Sequence, residues 1–383
     1  MADFNFKLSP EIILGNYSLA RLGEKISPFG SNFMLITTHI LKEAGVIDKI
    51  TKVLDERGIS LFVFDGIGET PDSDVADRAL SLARGAHIDG VISVGGITAC
   101  AIGKVVASLY NETTSLYDFV EGLTPSAKPL PLVQVSTICG DPYIFMKASP
   151  VVDSRNRSVQ LIKLQEDLCK LVVFDPNTYS GISPNMRNTM VYSGVLAAFE
   201  GYISQKADFF SGTILKKAIE LFLITVNPKK EKLITGSKEQ ILAEASCLTS
   251  MGLEASAPGV GTAIAITCGG RYNISPSLIS TILLPHIMSD AIRSNLDNVV
   301  EIAKLLDTDL AAETDAIGIA KSGILEIRRQ LAATNLPTRL KDVDITIESM
   351  VPVAENTSKL GFMSYTPRPM SGSDVFELIK EAF

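Results

Sequence analysis

The chain reads as an α/β half followed by an all-helical half. Three observations predict this: short β-rich runs alternate with helix-length apolar patterns over residues 33–174, a cluster of Pro, Gly, Ser and Asn covers 175–184, and long helical patterns fill the rest. At 383 residues the length accommodates two domains, expected as 1–181 and 182–383.

In order, residues 33–37 form a β-rich run, and Ile47, Ile50, Val53 and Leu54 then recur at helical spacing until Gly58 stops the pattern. Residues 59–64 form the next strand. Residues 71–84 read as a helix with Val75, Ala79 and Leu82 inward, 90–94 as a short apolar strand and 99–110 as a helix. Strands at 132–135 and 171–174 follow, and strands separated by helices of this length pair in parallel. Beyond the boundary, helices are expected at 190–205, 212–224, 238–251, 276–295, 296–306, 315–334 and 371–382. No short tandem repeat or low-complexity tract interrupts them.

Composition excludes several classes of function. Hydrophobic residues are 46% and charged residues 20%, which is a folded, core-forming chain. The net charge is -8 and no Lys/Arg-rich run concentrates positive potential, so no nucleic-acid partner is expected. The opening residues show neither a basic nor an apolar leader region, and no apolar run reaches bilayer length, so neither secretion nor a membrane is expected. Five cysteines without Cys-x-x-Cys spacing fit buried free thiols in a reducing compartment, with the cytoplasm as the expected location.

Val91-Ile-Ser-Val-Gly-Gly-Ile-Thr98 puts paired glycines after a buried strand and before a helix. There, exposed backbone N–H groups and the helix dipole can hold a diphosphate. A tight strand–helix turn that binds nothing has the same sequence.

Longer segments give these glycines a context. They include Pro10-Glu-Ile-Ile-Leu-Gly15, Leu41-Lys-Glu-Ala-Gly-Val-Ile-Asp48, Lys128-Pro-Leu-Pro-Leu132, Gly269-Gly-Arg-Tyr-Asn273, Leu283-Leu-Pro-His-Ile-Met288 and Tyr365-Thr-Pro-Arg-Pro-Met370. Across nearly its whole length the chain resembles the iron-containing (group III) alcohol dehydrogenases. The resemblance implies a Rossmann-like nucleotide-binding α/β domain and an all-α C-terminal domain, the fold shared with dehydroquinate synthase.

It also implies a cofactor, NAD or NADP, with Gly95, Gly96, Thr98, Thr137 and Thr38 as its contacts. The pocket departs from the family pattern, so binding is expected to be weakened. Where the family has Gly-Gly-Gly-Ser-x-x-Asp-x-x-Lys, this chain has Ile97 for the third glycine, Ala101 for the aspartate, and Lys104 retained. Where the family has Pro-Thr-Thr-Ala-Gly-Thr-Gly-Ser-Glu, it has Ser136-Thr-Ile-Cys-Gly-Asp-Pro-Tyr-Ile144. Thr38 replaces the acidic residue that many NAD-using relatives carry for the ribose, and Lys42 is either a partner for a 2'-phosphate or a solvated helix charge.

The family's metal acts as a Lewis acid on the substrate alcohol and needs several N, O or S donors. Its helix motif Asp-x-x-x-His-x-x-Glu aligns with Ser193, Ala197 and Glu200, and its two further histidines align with Thr262 and Pro276. All four ligand positions are therefore substituted, and no metal is expected. Only three histidines exist, His39, His87 and His286, and His286 reads as a satisfied structural histidine.

By resemblance the chain is an NAD(P)-dependent alcohol or aldehyde oxidoreductase whose metal-dependent hydride transfer is lost or changed. In one reading Ser193, Tyr192, Arg271 or Lys104 replaces the metal. The alternatives are a non-catalytic protein with a binding, regulatory or assembly role, and an interdomain cleft that takes another small molecule through Asp141, Tyr143, Arg271 and Tyr272. A homodimer or larger homo-oligomer is expected from the relatives.

Overall fold

The computed structural model describes residues 6–306, 315–343 and 345–383, and its backbone divides after Ser180 into two compact units. Residues 1–5 of the N-terminal stretch read for a leader lie outside the described residues.

In the first unit, strands β1 (Glu11–Leu14), β2 (Asn32–Thr37), β3 (Ser60–Phe64), β4 (Gly90–Gly95), β5 (Leu132–Ser136) and β8 (Cys169–Phe174) form one sheet. Its order is β1-β8-β5-β4-β2-β3 and every pair is parallel. Helices α1 (Leu22–Ile26), α2 (His39–Glu43), α3 (Val46–Asp55), α4 (Ser73–Gly85), α5 (Ile97–Leu109) and α6 (Leu116–Val120) lie between the strands in sequence. Because side chains alternate along a strand, Phe33 and Leu35 of β2 join one core with Ile47, Ile50 and Leu54 of α3. Met34 and Ile36 join the other, with Ala76, Ala79 and Leu80 of α4 and Ile102 and Val105 of α5. Helices on both faces explain why the central strands read as continuous apolar runs.

Two expectations need correction here. Leu82 points outward and is 42% exposed; the buried stripe of α4 is Ala76, Ala79, Leu80 and Ala83, with Val75 only partly covered. The sequence reading also lacked β1 and an antiparallel hairpin, β6 (Ala148–Asp153) with β7 (Ser158–Lys163). Pro150 sits inside β6, whose one ladder is with β7 and whose other edge carries only the single bridge from Val152 to Asp72, so a missing donor is tolerated there.

The second unit contains α7 (Pro184–Tyr202), α8 (Phe209–Val226), α9 (Lys238–Ala255), α10 (Val260–Tyr272), α11 (Pro276–Leu306), α12 (Ala316–Ala332), α13 (Val351–Ser358) and α14 (Gly372–Glu381). It has no strand among the described residues. The two helices expected at 276–295 and 296–306 are one long element with a break, since Asn295 adopts φ -139° and ψ 44° inside α11. No helix among the described residues is long and apolar enough to cross a membrane.

Candidate functional site

In the first unit the strand order reverses between β2 and β4. From β2 the chain crosses over α3 to β3, then returns over α4 on the opposite face to β4 on the far side of β2. Such a switch point opens a crevice at the carboxyl ends of the strands. Two sequence-predicted residues flank it, Thr38 just past β2 and Gly95 at the end of β4.

The glycine turn has a reason in its geometry. Gly95 adopts φ +153°, which favours glycine, and a Cβ there would lie 2.7 Å from the Cβ of Ala99. Gly96 caps α5 without any side-chain hydrogen bond to the first turn. A Cβ on Gly96 would meet Cγ2 of Ile138 at 2.8 Å, so Ile138 from the second expected cofactor segment leans directly on the turn.

The other expected cofactor contacts are engaged locally. The Thr98 hydroxyl donates to the Glu69 carbonyl at 2.7 Å, and the Thr137 amide donates to the Gly95 carbonyl at 3.1 Å. Thr38 caps α2 through its carbonyl, which accepts from the amides of Leu41 and Lys42. Lys42 is an exposed charge on α2, and its Nζ lies 2.7 Å from Asp65 Oδ2, which holds that carboxyl below its ordinary value. Asp65, just past β3, is the carboxylate that sequence reasoning missed at this end of the sheet. The signal was present in Phe64-Asp65-Gly66, and Gly66 bridges to Thr38.

Lys104 is also spent. It is 3% exposed on α5, and its ammonium donates to the carbonyls of Tyr143 and, at 3.2 Å, Met146. Asp141 is 1% exposed and accepts from the Tyr143 amide at 2.8 Å. Burial pushes its carboxyl up, while the Tyr143 amide and the Lys104 charge pull it back. Asp141 and Tyr143 are thus buried side chains, and Lys104 braces their loop.

In the second unit, α7 carries Ser193, Ala197 and Glu200 at i, i+4 and i+7, which places them on one face. Ser183 caps the helix by accepting from the Met186 amide, and Pro184 follows in the first turn. Glu200 is 2% exposed and reaches the start of α10. Its Oε2 accepts from the amides of Gly259 (3.2 Å) and Thr262 (3.0 Å) and from the Thr262 hydroxyl (2.6 Å); its Oε1 accepts from the Gly261 amide at 2.5 Å. A Cβ on Gly259 would sit 2.8 Å from Oε1, so glycine is required for this approach. Burial pushes the Glu200 carboxyl above its ordinary value, against the pull of the four donors.

These contacts bear on the four positions that the family resemblance aligns with metal ligands. Ser193 is partly buried, Ala197 offers a methyl group, and the Thr262 hydroxyl is committed to Glu200. Helix α10 ends at Asn273 in the left-handed conformation, and Pro276 opens α11 with its ring packed toward Gly269. Two hydroxyls, a methyl and a pyrrolidine ring do not make a transition-metal donor set. Among the described residues no group of three or more His, Cys, Asp or Glu side chains is placed to hold a metal ion.

The remaining candidates are dispersed. Tyr192 is buried and donates to Gln330 Oε1 at 3.1 Å, and burial raises its phenol well above the ordinary value. Tyr272 donates to the Ser349 carbonyl at 2.7 Å. Arg271, in the last turn of α10, is partly exposed and has no ion-pair partner among the described residues.

Comparison with known proteins gives a uniform result. Residues 9–176 match the family described as iron-containing alcohol dehydrogenase, and residues 187–383 match the C-terminal part of the Fe-containing alcohol dehydrogenase family. The chain is 25% identical to the 1,3-propanediol dehydrogenase of Citrobacter freundii over 99% of both chains. It is 24% identical to alcohol dehydrogenase 4 of Schizosaccharomyces pombe, over 88% of this chain and 80% of that one. A crystal structure of 1,3-propanediol oxidoreductase superposes with a TM-score of 0.88 at 22% identity, covering all of both chains.

Proposed function

We propose, for a chain that belongs to the iron-containing alcohol dehydrogenase family, that the dehydrogenase scaffold persists without metal-dependent hydride transfer. One observation carries this reading: all four ligand-aligned positions lack a donor suited to the metal, and the one hydroxyl among them with a defined partner, Thr262, is hydrogen-bonded to a buried carboxylate. Without a Lewis acid, nothing at Ser193, Ala197, Thr262 or Pro276 stabilises an alkoxide. Lys104 does not substitute, because its ammonium is buried on two carbonyls. The chain acts as a non-catalytic binding, regulatory or assembly protein.

Several relatives are named for their cofactor, among them the NADH-dependent butanol dehydrogenase A of Clostridium acetobutylicum and the NAD-dependent methanol dehydrogenase of Bacillus methanolicus. A dinucleotide at the Gly95–Gly96 turn of this chain binds more weakly than in such relatives. The turn keeps its backbone shape, but Ile138 crowds Gly96, and Thr98 and Thr137 are already engaged. Assembly into a homodimer or larger homo-oligomer, and a cytoplasmic location suited to five free thiols, complete the reading.

The test is metal analysis of the purified protein combined with fluorescence titration by NADH and NADPH. The expected result is far less than one metal ion per chain and weak or no dinucleotide binding. Stoichiometric iron or zinc together with tight NADH binding overturns the proposal.

A further inference from the structure

Away from the ligand-aligned positions, the helical unit contains a cavity of about 390 Å³. That volume lies within the range of small-molecule sites, roughly 300–1,000 Å³. Its walls include Pro285 and His286 of α11, Arg328 near the end of α12, Thr338 and Arg339 in the connection that follows, and Glu381 at the end of α14.

The charges on these walls are not neutralised by one another. Neither Arg328 nor Arg339 has a side-chain hydrogen bond or ion pair among the described residues. The neighbouring Arg329 shows the contrast, since its guanidinium is held by Glu326 at 2.6 and 2.7 Å. Glu381 is the one acidic side chain on the wall, and no ion pair joins it to either arginine.

His286 supplies an independent observation. It is 7% exposed, lines the cavity, and has no hydrogen-bond partner among the described residues, contrary to the satisfied structural role expected from sequence. A largely covered imidazole on the cavity wall offers a hydrogen-bonding group to whatever enters the cavity. Burial and the Arg328 charge lower its pKa to about 4, which keeps it neutral near pH 7 and able to both donate and accept.

We infer that this cavity binds the oxyanion group, phosphate or carboxylate, of a small metabolite, with Arg328 and Arg339 as the charged clamp and His286 as a hydrogen-bonding partner at its floor. Guanidinium forks recognise both groups bidentately. The site is independent of the reading proposed for the ligand-aligned positions.

The test is calorimetric titration of the full chain, in buffer free of both anions, with inorganic phosphate and separately with malonate. Saturable binding of either supports the inference, and the anion that binds identifies the group recognised. Arg328→Ala and Arg339→Ala should each weaken binding roughly tenfold, as loss of a charge-assisted hydrogen bond does, and the double variant should abolish it. Both arginines are exposed, so melting temperature without anion should not move. Glu381→Gln should tighten binding, and the His286 imidazole should titrate at higher pH when the anion is bound. No saturation by either anion up to about 10 mM, or unchanged binding in the double variant, overturns the inference.

Discussion

Replacing Glu200 by glutamine is the sharpest test of how the second unit is organised. The substitution keeps shape and volume but leaves only one acceptor oxygen. In the native site Oε2 serves three donors and Oε1 serves one, so the least costly arrangement turns the new amide nitrogen toward the Gly261 amide. That orphans one buried N–H, at about 1–3 kcal/mol, and sets two donors against each other. Weaker bonds from the remaining donors add to this, so roughly 2–4 kcal/mol should be lost. At roughly 2–4 °C per kcal/mol for a unit of this size, the melting temperature should fall by about 5–15 °C by far-ultraviolet circular dichroism.

The pH dependence adds a second readout. Because burial holds the Glu200 carboxyl above its ordinary 4.5, the unfolded chain releases this proton before the folded chain does as pH rises. Wild-type stability from this group is therefore complete below 4.5 and declines as pH rises through the folded value, while glutamine does not titrate. The gap between the proteins should be widest in acid and narrow toward neutrality. A loss under about 0.5 kcal/mol at every pH would refute the capping role assigned to Glu200.

Lys104→Met should cost about 3–5 kcal/mol, because it strands the buried Asp141 carboxyl and two carbonyls; Lys104→Met combined with Asp141→Asn should recover part of that loss in urea unfolding. Gly95→Ala should destabilise by about 1–3 kcal/mol from its positive φ, and adding Ala99→Gly should relieve only the steric share; equal stability of Gly95→Ala and wild type would contradict the turn geometry. Asp74 is held below its ordinary 3.8, first by the Tyr117 hydroxyl and then by Ser154, so its contribution is present above that value and is lost as pH falls through the folded value. Asp74→Asn should flatten acid unfolding below pH 4, and an unchanged acid limb would remove Asp74 from that transition.

The sequence made the parallel sheet legible because β2, β4 and β5 are buried on both faces and read as unbroken apolar runs between helices. The break in α11 at Asn295 falls where the sequence reading placed the boundary between two helices. Helix α10 was not legible. All of its residues from Val260 to Gly270 are buried, so it lacks the one-sided stripe that marks a surface helix. At the site, residue types at the ligand-aligned positions were readable, but their commitments were not. The bond from Thr262 to Glu200, the pairing of Lys42 with Asp65 and the inward turn of Asp141 join residues far apart in sequence or set by a loop path that no periodicity encodes.

The pattern of retention and loss in α7 has a physical logic. Glu200 is hydrogen-bonded to backbone amides of α10, and those donors need an acceptor whether or not a metal is present. The aspartate and three histidines that the resemblance implies at the other positions differ, because without an ion they would be polar groups facing a partly dry interior at a cost of several kcal/mol in total. Once metal binding ceases to matter, replacing them with Ser193, Ala197, Thr262 and Pro276 removes that cost. Ala197 and Pro276 pack as apolar groups, Thr262 turns its hydroxyl into a fourth bond for Glu200, and Ser193 keeps only a small polar group on a partly exposed site. The four residues present thus satisfy or avoid the local polar demands by themselves, which is what the proposed metal-free scaffold requires.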